Sequence, residues 1–132
     1  MVVDFQDLAS RDSRFREALI STKAKCDKGK PLASVMDDRF NLSLTRAILK
    51  VHFGYDYFFL PAGHLIPPVP NRQCYLDWLA VLLDDHVALP LGLDVGTGAS
   101  CIYPLLGAKM GWRFLATDVD AESVANATKI VR

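Results

Sequence analysis

Two glycines set between two carboxylates are the part of this sequence with the most definite chemistry. In GLDVGTGASCIYPLL, residues 92–106, Asp94 precedes Gly96 and Gly98, and Asp118 lies 22 positions beyond Gly96. Glycines placed after a strand carry no Cβ, so a nucleotide-like ligand can lie directly against backbone. A dinucleotide fingerprint, Gly-x-Gly-x-x-Gly, would need glycine where this chain has Cys101. A phosphate-cradling loop of the Gly-x-x-x-x-Gly-Lys-Ser/Thr type would need a lysine that residues 99–103 lack. A carboxylate at Asp94 repels a pyrophosphate but suits an ammonium and a sulfonium. Asp118, at the end of the next expected strand, can accept both hydroxyls of an adenosine ribose. S-adenosyl-L-methionine has these groups and is the preferred ligand, with a NAD-type pocket and a purely structural turn as alternatives.

The elements that would position these residues can be read from periodicity and turn chemistry. LGLDV and WRFLATDVD read as strands separated by a helix that opens near Ser100, and Asp120 is a suitable N-cap for a last helix over AESVANATKIV. Upstream, YLDWLAVLLDDH, residues 75–86, is apolar around most of its circumference, which predicts a buried helix packed on a sheet. Helix, strand, turn, helix, strand, helix is the opening of a parallel α/β sheet. Before it, Pro61, Pro67, Pro68 and Pro70 predict an extended arm over residues 61–74, with Leu65, Ile66 and Val69 as packing residues.

Residues 1–60 read as a small helical module. Phe5, Leu8, Phe15 and Leu19 recur at helical intervals, with Asp4 and Asp12 as caps of two short helices. Leu44, Ile48 and Val51 mark a helix from Asn41 to Phe53, ended by Gly54. Between them STKAKCDKGKP has no apolar period. Its Lys23, Lys25, Lys28 and Lys30 form either a solvated loop or contacts to an RNA backbone.

Composition excludes several classes. The 132 residues are 51% hydrophobic and 23% charged, as a folded domain requires. Fifteen basic side chains balance fifteen acidic ones, so no global basic field announces a nucleic-acid partner. Cys26, Cys74 and Cys101 are scattered, which fits a reducing, intracellular setting in the nucleus or cytoplasm rather than a disulfide framework. No apolar run suits a membrane span. His52, His64 and His86 lack a metal-binding pattern and read as surface or capping residues, so no metal is expected.

The segment DVGTGASCIYPLLGAKMGWRFLATDVD, with LIPPVPNRQCYLDWL upstream and more loosely DFQDLASRDSRF near the start, resembles the adenine-N6 RNA methyltransferases. That family includes the bacterial large-subunit ribosomal RNA methyltransferase F and the eukaryotic spliceosomal small nuclear RNA methyltransferase. The resemblance implies a Rossmann-like class I S-adenosylmethionine-dependent methyltransferase fold, truncated after the second strand and preceded by a helical RNA-side module. It implies that Gly96, Thr97, Gly98 and Ser100 line the cofactor, and that Asp118 takes the ribose-binding place where eukaryotic members carry Glu. Arg72 matches the family's VP-x-R arginine, implying a contact near the cofactor; a structural salt bridge is the local alternative. The family's Asn-Pro-Pro-Phe motif, which holds the adenine amine, is absent from the 132 residues, as is the basic extension before DF. Residues 75–132 are therefore expected to be the first part of a methyltransferase domain for structured ribosomal or small nuclear RNA, inactive alone. A non-catalytic RNA-binding or regulatory truncation product and a NAD(P)-dependent oxidoreductase fragment are the competing expectations.

Overall fold

The computed structural model describes residues 2–31, 36–83 and 89–132. These form two compact units, Val2–Asp56 and Tyr57–Arg132.

The first unit contains helices α1 (Phe5–Arg11), α2 (Ser13–Asp27) and α3 (Asp38–Phe53). Both expected caps form: Asp4 accepts from Gln6 N at 2.7 Å and Asp12 from Phe15 N at 2.8 Å. Asp12 also ends α1, its own N–H donating to Leu8 O at 2.8 Å, and Lys50 of α3 reaches its Oδ2 at 3.2 Å. Burial pushes the Asp12 pKa up, but the Phe15 N–H and the Lys50 ammonium outweigh it and hold it below the ordinary value. Phe5, Phe15 and Phe40 pack ring against ring with centroids 5.7, 5.8 and 6.2 Å apart, one ring from each helix.

Two boundaries differ from the sequence expectation. Helix α2 continues to Asp27, so Lys23 and Lys25 are helical and only Lys28 and Lys30 belong to the following turn. Lysine and alanine are good helix formers, and nothing breaks the helix before Gly29, whose φ is +83°. Helix α3 begins at Asp38 rather than Asn41 because Asp37 caps it, accepting from Phe40 N at 3.0 Å. Its end is as expected: Gly54 sits at φ +71° and Tyr55 N donates back to Leu49 O, the arrangement of a left-handed glycine cap.

The second unit runs α4 (Val69–Leu83), β1 (Leu91–Val95), α5 (Ile102–Lys109), β2 (Arg113–Thr117) and α6 (Ala121–Ile130). The extended arm is shorter than residues 61–74, because α4 starts at Val69. Pro70 lies in its first turn, where a missing N–H leaves no bond unmade. Arg72 and Cys74 are therefore helical. Val69 and Pro67 are fully buried, whereas Leu65 is exposed. The strands pair in parallel from Leu91↔Arg113 to Val95↔Thr117.

Helix α4 corrects another expectation. Tyr75, Trp78, Val81 and Leu82 are exposed; among the described residues the helix packs chiefly on α5, with Val69 and Leu76 buried. An all-round apolar helix offers more surface than one neighbour covers. Residues 84–86 of the expected helix, His86 among them, lie outside the described residues. On the sheet, Leu91, Leu93, Val95 and Leu115 are likewise 61–76% exposed.

The packing of α5 on β2 turns on two glycines. A Cβ at Gly107 would come within 2.2 Å of the Phe114 ring and one at Gly92 within 2.6 Å, so Phe114 occupies a slot that only glycines leave open. Gly107→Ala gains up to about 1 kcal/mol of helix propensity but overpacks Phe114 at a cost of about 1–3 kcal/mol. Urea unfolding will show a net loss of stability for this variant, and the loss will shrink in a Phe114→Leu background; equal effects in both backgrounds would contradict this packing.

Candidate functional site

The loop from β1 into α5 is built from backbone conformations that ordinary residues avoid. Gly96 has φ +76°, Gly98 +66° and Cys101 +40°. Such a turn has no ladder of its own, so its polar groups are satisfied from outside. Gly96 N and Thr97 N donate to Thr117 O at 2.8 and 3.0 Å. Gly98 N donates to Asp118 Oδ2 at 2.7 Å, and Asp118 Oδ1 accepts from Asp120 N at 2.9 Å. Ala99 O accepts from the buried Asn126 Nδ2 at 2.8 Å, and the same nitrogen donates to Phe59 O at 2.8 Å. The N–H groups of Asp120 and Gly98 hold the Asp118 pKa below its usual value, so the carboxylate is charged.

Asp94 and Thr97 face each other across the turn, Thr97 Oγ1 donating to Asp94 Oδ2 at 2.7 Å. Cys101, 1% exposed, has its thiol pKa pushed up to about 12 by burial and then by the Asp94 charge. It is a neutral packing residue and no nucleophile. Cys101 also holds the third glycine position of the dinucleotide fingerprint and has a left-handed backbone there. The close helix-to-strand approach that a third glycine permits is provided instead by Gly107.

A cleft of about 190 Å³ opens beside this turn. Arg72 from α4 and Asp94, Gly96, Thr97, Gly98 and Ser100 from the glycine motif, the residues expected from the sequence, all line it. Asp118 does not line it and touches it only through Gly98 N. A Cβ built on Gly96 or Gly98 meets nothing within 4 Å, so both present open backbone. Arg72 has a tyrosine for a partner where the local alternative was a salt bridge: Nη1 donates to Tyr103 Oη at 3.1 Å, and the guanidinium lies 5.6 Å from that ring's centroid. Its Nε is buried without a hydrogen-bond partner. This orphaned donor, the Asp94 carboxylate and the bare glycines fit a ligand carrying a carboxylate, an ammonium and a flat nucleoside.

Sequence reasoning missed three residues here. Tyr103 and His64 line the cleft, and His64 Nε2 lies 3.4 Å from Asp120 Oδ2. Asn126 ties the turn and the Phe59 carbonyl to α6. The one sequence hint was an asparagine inside a helix it does not favour. His52 sits exposed in the last turn of α3.

The four lysines are not brought together. Lys25 lines a cleft of about 320 Å³ in the helical unit with Arg14, Arg39 and Arg46, opposed by Glu17 and Asp37, and its Nζ is 3.9 Å from Asp37 Oδ2. Lys23 lines a separate, mainly apolar groove, and Lys28 and Lys30 line neither. The arginines went unnoticed because Arg14 sits on α2 whereas Arg39 and Arg46 sit on α3. Among the described residues, no helix is long and apolar enough to cross a membrane, and no cluster of three potential metal ligands occurs.

Residues 2–132 match the model of a family described as RNA methyltransferase. The "Ribosomal RNA large subunit methyltransferase F" of Pseudomonas syringae pv. tomato is 48% identical over 95 residues, 66% of this chain and 29% of that protein. Its counterpart in Psychromonas ingrahamii is 39% identical over 123 residues, 86% of this chain and 40% of that protein. Among solved structures, the N-terminal domain of human METTL16 in complex with SAH superposes with a TM-score of 0.78 at 36% identity, over 98% of this chain and 50% of that one. The hMettl16 catalytic domain in complex with the MAT2A 3'UTR hairpin 6 superposes with a TM-score of 0.76 at 34% identity, covering 98% and 44%. The chain thus spans well under half of these curated relatives and at most half of these solved chains. Over that part it has the α/β, Rossmann-like fold of an S-adenosylmethionine-dependent methyltransferase domain, with two parallel strands.

His64 beside Asp120 generates a pH prediction. The Asp120 carboxylate raises the His64 pKa above 6.5, while Ser123 and His64 hold Asp120 at about 2. The pair is strongest with His64 protonated, so its stabilisation is complete below the ordinary histidine pKa and is lost as pH rises through the raised one. An NMR titration will place the His64 midpoint above 6.5, and Asp120→Asn will lower it; an unchanged midpoint in that variant would dissolve the pair.

Proposed function

The chain belongs to this RNA methyltransferase family, and from that premise we propose that it provides the cofactor-holding part of an enzyme methylating the N6 amine of adenosine in structured ribosomal or small nuclear RNA. The observation that carries the reading is the cleft, where Arg72, Asp94 and the open backbone of Gly96 and Gly98 converge. When bound, S-adenosyl-L-methionine supplies a methyl group on a positively charged sulfur. Asp94 accepts from the ammonium and stabilises the sulfonium by charge, Arg72 donates to the carboxylate, and Asp118 accepts from the ribose. Thr97 and Ser100 complete the wall. The chain's contribution to catalysis is orientation, since a fixed donor geometry lowers the entropic part of the barrier.

The adenine side of the reaction needs groups that orient an amine, and the Asn-Pro-Pro-Phe segment that does so in the family does not occur among the 132 residues. Pro67-Pro68 belongs to the arm at the start of α4. For the 132 residues by themselves, the proposal is cofactor binding without methyl-transfer turnover. Residues 1–60 are proposed as the RNA-side module, with Lys25 and the neighbouring Arg14, Arg39 and Arg46 as phosphate contacts and Lys23, Lys28 and Lys30 at the periphery.

Calorimetric titration separates this reading from its rivals: S-adenosylhomocysteine will bind and NAD(P) will not, and the reverse result would make the chain an oxidoreductase fragment. Asp118→Ala will weaken S-adenosylhomocysteine and 5′-methylthioadenosine alike, by about tenfold to a hundredfold as expected for charge-assisted hydrogen bonds to the shared ribose. Unchanged affinity for both would remove Asp118 from the site.

For RNA, replacing Arg14, Lys25 and Arg39 by Gln will flatten the plot of log affinity against log salt by about 0.7–0.9 for each phosphate that is no longer neutralised. Replacing Lys28 and Lys30 will change it less. Equal slopes in all variants would leave the cleft without an RNA role.

A further inference from the structure

Arg72 is held in an unusual way for an arginine at a ligand cleft, because among the described residues no carboxylate aims it. Tyr103 does. The ring of Tyr103 lies beneath the guanidinium at 5.6 Å and its hydroxyl accepts from Nη1 at 3.1 Å, so the same side chain fixes both the plane and the rotation of the fork. The ring is itself fixed edge-on by Tyr75, with centroids 5.5 Å apart. Arg72 and Tyr75 are three residues apart on α4 and so share a helix face, gripping one tyrosine at the start of α5. The consequence is an electrostatic one. Nη1 is occupied by Tyr103 and Nε is buried without a hydrogen-bond partner, so a ligand in the cleft that Arg72 lines meets the donors of the fork that remain. A carboxylate partner for Arg72 would have neutralised it; a tyrosine leaves its charge intact.

We propose that Tyr103 is a positioning residue that orients Arg72 toward the carboxylate of an amino-acid-bearing nucleoside, and so makes the cleft select ligands with an amino-acid tail over those without one. The inference rests on the cofactor reading above and deepens it. In this assignment the Tyr103 hydroxyl acts through Arg72. Its loss therefore costs affinity only for ligands that carry the carboxylate.

The test uses two ligands that differ in the tail. S-adenosylhomocysteine has the amino-acid group; 5′-methylthioadenosine has the same adenosine and thioether without it. Tyr103→Phe keeps the ring and removes the hydroxyl. Calorimetry on the 132-residue chain will show S-adenosylhomocysteine weakened by about tenfold, the scale of one hydrogen bond to a charged group, with 5′-methylthioadenosine changed by less than about twofold. The same substitution in an Arg72→Ala background will produce almost no additional weakening, since the two residues act as one unit. Should Tyr103→Phe fail to fold, Arg72→Lys, which keeps the charge but loses the planar fork, must reproduce the same ligand selectivity. Equal weakening of both ligands would make Tyr103 a packing residue only, and no weakening of either would show that Arg72 needs no positioning. If the unaltered chain binds neither ligand, the cofactor reading falls and takes this inference with it. If it binds both and the variants show no selectivity, the inference alone fails.

Discussion

A turn with left-handed backbone at Gly96, Gly98 and Cys101 cannot hold itself, and the cleft exists because other segments hold it. Its N–H groups are claimed by Thr117 O and the Asp118 carboxylate, and the Ala99 carbonyl by Asn126. The supporting atoms all come from the end of β2 and from α6. The ligand-facing glycines are therefore set by residues more than fifteen positions further along the chain. Because an unpaired buried amide or carbonyl costs about 1–3 kcal/mol, these bonds restrict the turn strongly. The cradle is preorganised before anything binds, and the N–H groups of Asp120 and Gly98 hold the Asp118 pKa below its ordinary value.

Glycine appears in the second unit for two unlike reasons. At Gly96 and Gly98 the cause is backbone conformation, with open space where a side chain would be. At Gly92 and Gly107 the cause is volume, since the Phe114 ring fills the space. The two sets are mechanically connected. The Phe114 slot determines how closely α5 approaches the sheet, and α5 begins with the residues that line the cleft, Ile102 and Tyr103. Core packing at Gly107 thus influences where the Tyr103 hydroxyl, and through it the Arg72 guanidinium, comes to rest.

What was legible in the sequence follows from how far each determinant reaches. The caps at Asp4, Asp12 and Asp120, the glycine stop at Gly54 and the strand LGLDV depend on neighbours within a few residues, and each stands where local rules put it. The cleft residues from Asp94 to Ser100 were legible because the motif is contiguous. Local rules failed where two of them competed: prolines argued for an extended chain through residue 74, yet a proline in a first turn is compatible with the helix that begins at Val69. Burial of α4 was misjudged because periodicity reports which faces are apolar and not which are covered. The pairs Arg72–Tyr103, His64–Asp120 and Asn126–Phe59 span 31, 56 and 67 residues. No period or spacing encodes a pairing at that separation.

Charge arrangement gives the strongest physical discrimination between ligands. Asp94 lies on the wall of the cleft and Asp118 just behind its glycine turn, while Arg72 is the one permanently charged cation among the described lining residues. A pyrophosphate would bring two negative charges toward two carboxylates with a single guanidinium to offset them, and repulsion between like charges a few ångströms apart is worth about 1 to 4 kcal/mol between bulk water and an effective protein dielectric of ~20. A zwitterionic amino-acid tail has the opposite relation to the same groups: its ammonium matches Asp94, its carboxylate matches Arg72, and a sulfonium adds positive charge where the wall is negative. The neutral Cys101 thiol, held protonated by burial, adds no charge to the balance. The glycine turn is shared with many nucleotide sites, so under the proposed reading selectivity for a sulfonium nucleoside rests on these charged side chains and on the tyrosine that aims Arg72 without neutralising it.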